Sequence, residues 1–358
     1  MLKTAPAVFA VGNEYQIMVT TTKPALFSVL IENEEYFDES NGIMRSLSDL
    51  HRVSVPMDAL DRAGEYILRL RPIIERKPYF TETEALVEIP FAFYPVPKEN
   101  IRAYHIADAH NRISEPVAAA KAFGEIDFLI LNGDVINHSG DPSKFDNIYE
   151  ICARLTGGSK PVVFSRGNHD MRGNYAERFA DYTPNAQGRT YYSFRLGSIW
   201  GVLLDCGEDK ADDHAEYGYT VCCHAFRQRQ TVFLHRLIAE KEKEYAADGI
   251  THRLVISHVP FAHRMAEPFD IEEAIYTEWS KLLREEVHPN VMICGHVHRL
   301  GVWEMGGSHD NYGQPCPVVV GSKPGKEYWA GCGYIFGREK TQVIFTDSTG
   351  AVLGEEII

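Results

Sequence analysis

Five short apolar runs in this chain each end in carboxylate, amide or imidazole side chains, and that repetition constrains the fold more than any single residue does. Tyr104-His105-Ile106-Ala107 is followed by Asp108-Ala109-His110, Phe128 to Leu131 by Asn132-Gly133-Asp134, and Pro161 to Phe164 by Arg166-Gly167-Asn168-His169-Asp170. Leu254-Val255-Ile256 is followed by Ser257-His258, and Val291-Met292-Ile293 by Gly295-His296-Val297-His298. Runs this short and apolar read as buried strands. In layered α/β folds ligands gather at the carboxyl ends of the strands, so five such ends are expected to converge on one rim.

The segments between these runs fit that class. Ser114 can cap a helix through Val117 to Phe123, stopped by Gly124. Phe145, Ile148, Ile151 and Leu155 recur at helical spacing before Gly157-Gly158. Tyr192 to Leu204 reads as a hairpin turning at Gly197-Ser198, and a helical stretch runs from about Arg227 to Ala247. Another helix is expected before Val291, and Tyr334 to Ile358 returns to strands around Ser348-Thr349-Gly350.

Residues up to about Phe93 have a different rhythm. Tyr15 to Val19, Ala25 to Ile31 and Tyr66 to Arg71 are short runs of strand formers punctuated by Gly12-Asn13, Ala63-Gly64 and Lys77-Pro78. This is the pattern of a small β-sandwich. Tyr94-Pro95-Val96-Pro97-Lys98-Glu99-Asn100 reads as a linker, because its prolines resist helix and central strand. The expected division is residues 1–95 as an all-β sandwich and 100–358 as an α/β domain that carries the polar strand ends. Every candidate ligand lies after the linker, so a chain starting near Lys98 is expected to keep its chemistry if it folds.

Composition narrows the partners. A formal net charge of −14 over 358 residues argues against a protein that lives on nucleic acid or acidic membranes, both of which attract basic faces. A small phosphorylated substrate stays compatible, because the local field outweighs the total. The seven scattered cysteines and the lack of a signal-peptide pattern over Met1 to Val11 favour reduced thiols and the cytoplasm; a secreted or periplasmic chain whose signal was removed would look the same. Cys222-Cys223-His224 lacks the paired spacing of a zinc finger and reads as structural. The acidic stretch from Cys206 to Tyr217 either shapes the substrate pocket or is a surface loop.

Taken singly, an Asp-x-His triplet is an ordinary polar strand end and Gly133-Asp134 an ordinary turn. Gly-Asn-His-Asp is the most informative block, since Asn is a poor strand residue directly after an apolar run. The ordered series Asp108-Ala109-His110, Gly133-Asp134, Gly167-Asn168-His169-Asp170, His258 and Gly295-His296-Val297-His298 resembles the calcineurin-like metallophosphoesterase superfamily. That resemblance implies two packed mixed β-sheets flanked by helices. The N-terminal segment is similar to the fibronectin-like domain, an Ig-like sandwich, that precedes the catalytic domain of purple acid phosphatases.

By the same resemblance, Asp108, His110 and His298 hold one metal, Asn168, His258 and His296 a second, and Asp134 bridges them. The ions would be divalent or transition metals such as manganese, iron or zinc, which suit imidazole and carboxylate ligands. A hydroxide shared by the two metals would attack phosphorus in line with the leaving oxygen. His169 is implied as the proton donor to the leaving group or a donor to a phosphoryl oxygen. Asp170 would orient His169, and Arg166 either clamps a phosphate oxygen or is an ordinary surface charge. His110 stands where purple acid phosphatases have Gly, and Asn137 where they have an iron-binding Tyr; Asn137-His138-Ser139 also differs from the Asp-Arg-Gly of phosphoprotein phosphatases.

The expected function is therefore two-metal hydrolysis of a small phosphodiester or phosphomonoester. A binding or scaffold protein on a decayed phosphoesterase fold is the alternative, with the N-terminal domain as a contact surface for protein or carbohydrate. Decay would show as a lost ligand or catalytic histidine, and none is missing from the series.

Overall fold

The computed structural model describes residues 1–40, 42–44 and 47–358. Two mixed sheets dominate it. The larger contains the parallel strands Ile101–Ile106, Phe128–Asn132 and Pro161–Ser165, extended on one side by the antiparallel strands Trp329–Phe336, Thr341–Asp347 and Val352–Ile357. The second contains the parallel strands Ile199–Leu203, His252–Ile256, Val291–Cys294 and Val318–Gly321, edged by Tyr192–Leu196 and Leu300–Trp303.

Alternation along each strand explains the layering. In Phe128–Asn132, Phe128 and Ile130 join the core between the sheets, while Leu129 and Leu131 face the helices Ser114–Phe123 and Asp146–Thr156. In His252–Ile256, Leu254 and Ile256 enter the same central core, and Val255 packs with Phe233, Leu237 and Trp279 of the helices Cys223–Ala239 and Glu273–Leu282. Two mixed sheets flanked by helices are thus the architecture expected for the catalytic part.

Helix ends differ in detail from the expectation. Ser114 is the first helical residue, and the preceding Ile113 makes no side-chain cap. The expected helix from Arg227 to Ala247 starts earlier and ends at Ala239, beyond which residues 240–248 form turns.

Among the described N-terminal residues the elements are β-strands apart from the helix Met57–Ala63, the all-β character expected, and one group of these strands runs on into the larger sheet. Ala7–Val11 pairs in parallel with Pro161–Ser165, and Glu14–Thr20 and Leu50–Pro56 follow it in the larger sheet. Ala25–Ile31, Glu34–Phe37, Glu65–Arg76, Thr81–Thr83 and Val87–Ala92 form a separate small sheet, and Glu39–Ser40 pairs with Ile43–Met44 in a two-stranded one. Phe27, Tyr66 and Leu68 share one core with Ile130, Phe194 and Leu254. The expected boundary at 95–100 is therefore crossed by a sheet and by the central core. The physical reason is that Val8 and Ala10 face one layer while Ala7 and Phe9 face the other, as in a buried central strand.

Candidate metal centre

The polar strand ends meet where the two sheets adjoin. Asp108 follows Ile101–Ile106 and is fully buried. Its Oδ2 accepts from the His296 amide at 2.9 Å and from the Ser322 hydroxyl. Its Oδ1 has no hydrogen-bond partner and lies 3.2 Å from His298 Nε2, 3.7 Å from His258 Nε2 and 3.9 Å from His110 Nε2. His110 Nε2 stands 3.4 Å from His298 Nε2.

Asp134, at the turn after Phe128–Asn132, accepts the His169 amide on Oδ1 at 2.9 Å and places Oδ2 3.2 Å from His258 Nε2. The other ring nitrogen of His258, Nδ1, donates to the Asn132 carbonyl at 2.6 Å, which leaves Nε2 facing the two carboxylates. His296 Nδ1 lies 3.1 Å from Asn168 Oδ1, and the Asn168 amide donates to Asp209 Oδ2 at 3.2 Å. All seven residues expected as ligands are thus brought together.

The backbone here is strained in a way that marks the site. Asp108, His110, Asp134, His296 and His298 have φ of 53°, 47°, 53°, 67° and 53°, a left-handed region costing side chains about 1–3 kcal/mol each. Such conformations persist where surrounding contacts over-determine them. His296 and His298 lie between the strands Val291–Cys294 and Leu300–Trp303 and belong to neither. Both residues are left-handed, and their rings reach different partners, Asn168 and Asp108. The turns fit together only because of glycine: a Cβ on Gly133 would stand 2.8 Å from His258 Nδ1, and one on Gly167 2.6 Å from the Asp134 amide nitrogen.

Electrostatics agree with a cation site. Burial works against charge on His258, yet Asp134 and Asp108 outweigh it and hold its ring up to about 10. Burial and then the neighbouring His258 push His296 down to about 4, and burial lowers His110. The buried carboxylates of Asp134 and Asp108 thus favour positive charge at this point. Asp108 Oδ1 and His258 Nε2 are buried with no hydrogen-bond partner, an arrangement a metal ion relieves. Among the described residues three sets of ligand atoms are close enough to hold an ion: Asp108 with His110 and His298, Asp108 with Asp134 and His258, and His110 with Asp134 and His169; the atoms suit a transition metal.

The remaining expected residues behave differently. His169 is a third exposed at its side chain; its Nδ1 lies 2.8 Å from the Asn137 carbonyl and its Nε2 3.9 Å from Asp134 Oδ2. Asp170 does not orient it. Its Oδ2 instead accepts the amides of Gly167 at 2.8 Å and Asp134 at 3.1 Å, pinning two motif loops to each other. Burial and then Asp134 push Asp170 up to about 8. Arg166 is no phosphate clamp here, because its Nε donates to the buried Asp205 at 2.8 Å and its guanidinium covers the Phe226 ring.

Sequence reasoning missed three partners. Ser322 follows the apolar Val318–Gly321 and obeys the same rule of a polar residue after a buried strand. Arg172 approaches His169 Nε2 at 3.4 Å and pairs with Glu208 and Asp209. The short 3-10 turn His169–Met171 stacks residues three apart, which was the available signal. Asp209 lies in the acidic stretch weighed as a pocket wall, and it lines a cavity together with His296.

Comparison with known proteins agrees with this geometry. The chain is 28% identical over 209 residues to a probable cyclic nucleotide phosphodiesterase of Rhodopseudomonas palustris; the match covers 55% of this chain and 66% of that protein, just under two thirds of its length. The fold is similar to that of a purple acid phosphatase from yellow lupin (Lupinus luteus) seeds, with a TM-score of 0.59 at 13% identity, covering 99% of this chain and 73% of the other. A model of the calcineurin-like phosphoesterase family matches residues 101–300, the stretch that carries every candidate ligand, and the chain belongs to that family.

Proposed function

We propose that this protein is a metal-dependent hydrolase of small phosphate esters, with a diester preferred. The observation that carries the reading is the convergence of Asp108, His110, Asp134, Asn168, His258, His296 and His298, with buried carboxylate and imidazole atoms of Asp108, Asp134 and His258 facing one another. The name of the R. palustris relative supports the diester.

Two bound metal ions would supply Lewis-acid stabilisation of phosphoryl charge and bring the pKa of water to about 7. Asp108, His110 and His298 would hold one ion, and Asn168, His258 and His296 the other, with Asp134 shared. Hydrogen bonds behind the ligands set their aim: Ser322 and the His296 amide fix Asp108, the Asn132 carbonyl fixes His258, and Asp209 fixes the Asn168 amide. His169 would protonate the leaving oxygen from Nε2, while the Asn137 carbonyl holds Nδ1. The complete donor set argues against a decayed scaffold.

The test is metal content and turnover on one preparation. Loaded with manganese, iron or zinc in turn, the protein should hold two ions per chain and cleave bis-(p-nitrophenyl) phosphate faster than p-nitrophenyl phosphate. Trace metal only, or faster cleavage of single-stranded DNA than of either small ester, would overturn the reading.

A further inference from the structure

We propose that the cavity beside His296 is a subsite for the nucleobase of a nucleoside phosphodiester, with Trp303 as its stacking residue; this rests on the phosphoesterase reading above. The cavity has a volume of about 510 Å³, within the usual range for a small-molecule site. One wall is His296 and Asp209, which belong to the metal centre and its support. A phosphoester held at the centre therefore has this cavity as the adjoining space for a substituent.

The same cavity is also lined by aromatic rings. Trp303 and His309 stack at 4.2 Å between ring centroids and 7° between planes, and His263 meets each of them at 5.0 Å. Phe269 and Met265 add apolar surface, and Arg299 is exposed at the rim. Three pre-assembled rings form a platform for another flat ring, because base–aromatic stacking accepts any π-face. The exposed Arg299 guanidinium suits a heteroaromatic ring carrying acceptors better than a plain hydrocarbon. Trp303 is half-buried, whereas Trp200, Trp279 and Trp329 are packed in the interior, so only this indole is placed to meet a ligand.

The experiment compares wild type, Trp303→Ala and Trp303→Phe on two phosphodiesters. Adenosine 3′,5′-cyclic monophosphate carries a base, and glycerophosphocholine does not. Trp303→Ala should raise KM for the cyclic nucleotide about tenfold, the scale of one stacking contact, with kcat within about twofold. Glycerophosphocholine should keep its kcat/KM, and Trp303→Phe should restore most of the loss. Equal losses on both diesters, or no change on either, would overturn the subsite. Failure to hydrolyse either diester would count against the phosphoesterase reading instead. Calorimetry with adenosine alone then decides the subsite: saturable binding weakened about tenfold by Trp303→Ala supports it, and unchanged or undetectable binding refutes it.

Discussion

Gly167→Ala isolates how closely the motif loops must approach. The added Cβ would stand 2.6 Å from the Asp134 amide nitrogen and 3.0 Å from its Cγ, with Oδ1 nearer still, whereas ordinary contact begins at 3.4 Å. The Asp134 amide must therefore give by about 0.8 Å, and its Oδ1 by more than 1 Å. Asp134 has little room, since its amide is held by Asp170 and its Oδ1 by the His169 amide. Crowding of this kind costs about 1–3 kcal/mol of stability. Catalytic groups tolerate about 0.5 Å of error, and a misplacement near 1 Å can cost about a hundredfold in rate. The variant should thus fold, melt a few degrees lower and lose about a hundredfold in turnover of bis-(p-nitrophenyl) phosphate. Gly354→Ala is the control, because its new Cβ would meet only Phe345 Cδ2, at 3.9 Å, and should change neither property. A Gly167→Ala protein with wild-type turnover and full metal content would show that Asp134 is not fixed by this contact.

His169→Ala should keep both metals and lose at least about a hundredfold in turnover, the scale of a general acid; elemental analysis beside the rate assay checks it, and unchanged turnover at full occupancy removes His169 from the mechanism. Asp347 closes the Ser348-Thr349-Gly350 turn by accepting the Thr349 and Ala351 amides and the Thr349 hydroxyl on Oδ1. Burial opposes its charge, but these bonds win and lower its pKa, so its stabilisation is present above the unfolded value near 3.8 and is lost as pH falls below it. Asp347→Asn should cost about 1 kcal/mol at pH 7 in urea unfolding, with the difference shrinking as pH falls below the unfolded value; a constant difference refutes the assignment. Removing residues 1–97 should yield an unfolded or aggregated chain by circular dichroism, because it strips the partner strand from Pro161–Ser165 and empties part of the central core. A folded, active truncation would show that the N-terminal strands are dispensable additions.

The site was legible because its signal is local. Each ligand sits within a few residues of an apolar run, and the strand pattern alone puts those ends on one rim. The roles of Asp170 and Arg166 were not legible, because they depend on which distant group each side chain meets. Asp170 spends its carboxylate on the amides of Gly167 and Asp134, and Arg166 meets Asp205, 39 positions away. No periodicity reports such pairings.

The same distinction explains the N-terminal segment. Ala7–Val11 reads as a strand from its own residues, but its neighbour in the sheet, Pro161–Ser165, lies some 150 positions later. A sandwich of its own and an extension of the larger sheet require nearly the same residues locally. What separates them is burial on both faces, since a sandwich strand facing solvent on one side would alternate, whereas Ala7, Val8, Phe9 and Ala10 are all fully buried. The consequence reaches the chemistry. Pro161–Ser165 delivers Arg166-Gly167-Asn168-His169, and the strand beside it comes from the first eleven residues of the chain. The N-terminal segment supplies none of the candidate ligands, yet it flanks the strand that aims Asn168 and His169. The expected effect of losing it is therefore a displaced Pro161–Ser165 strand, which the truncation above tests.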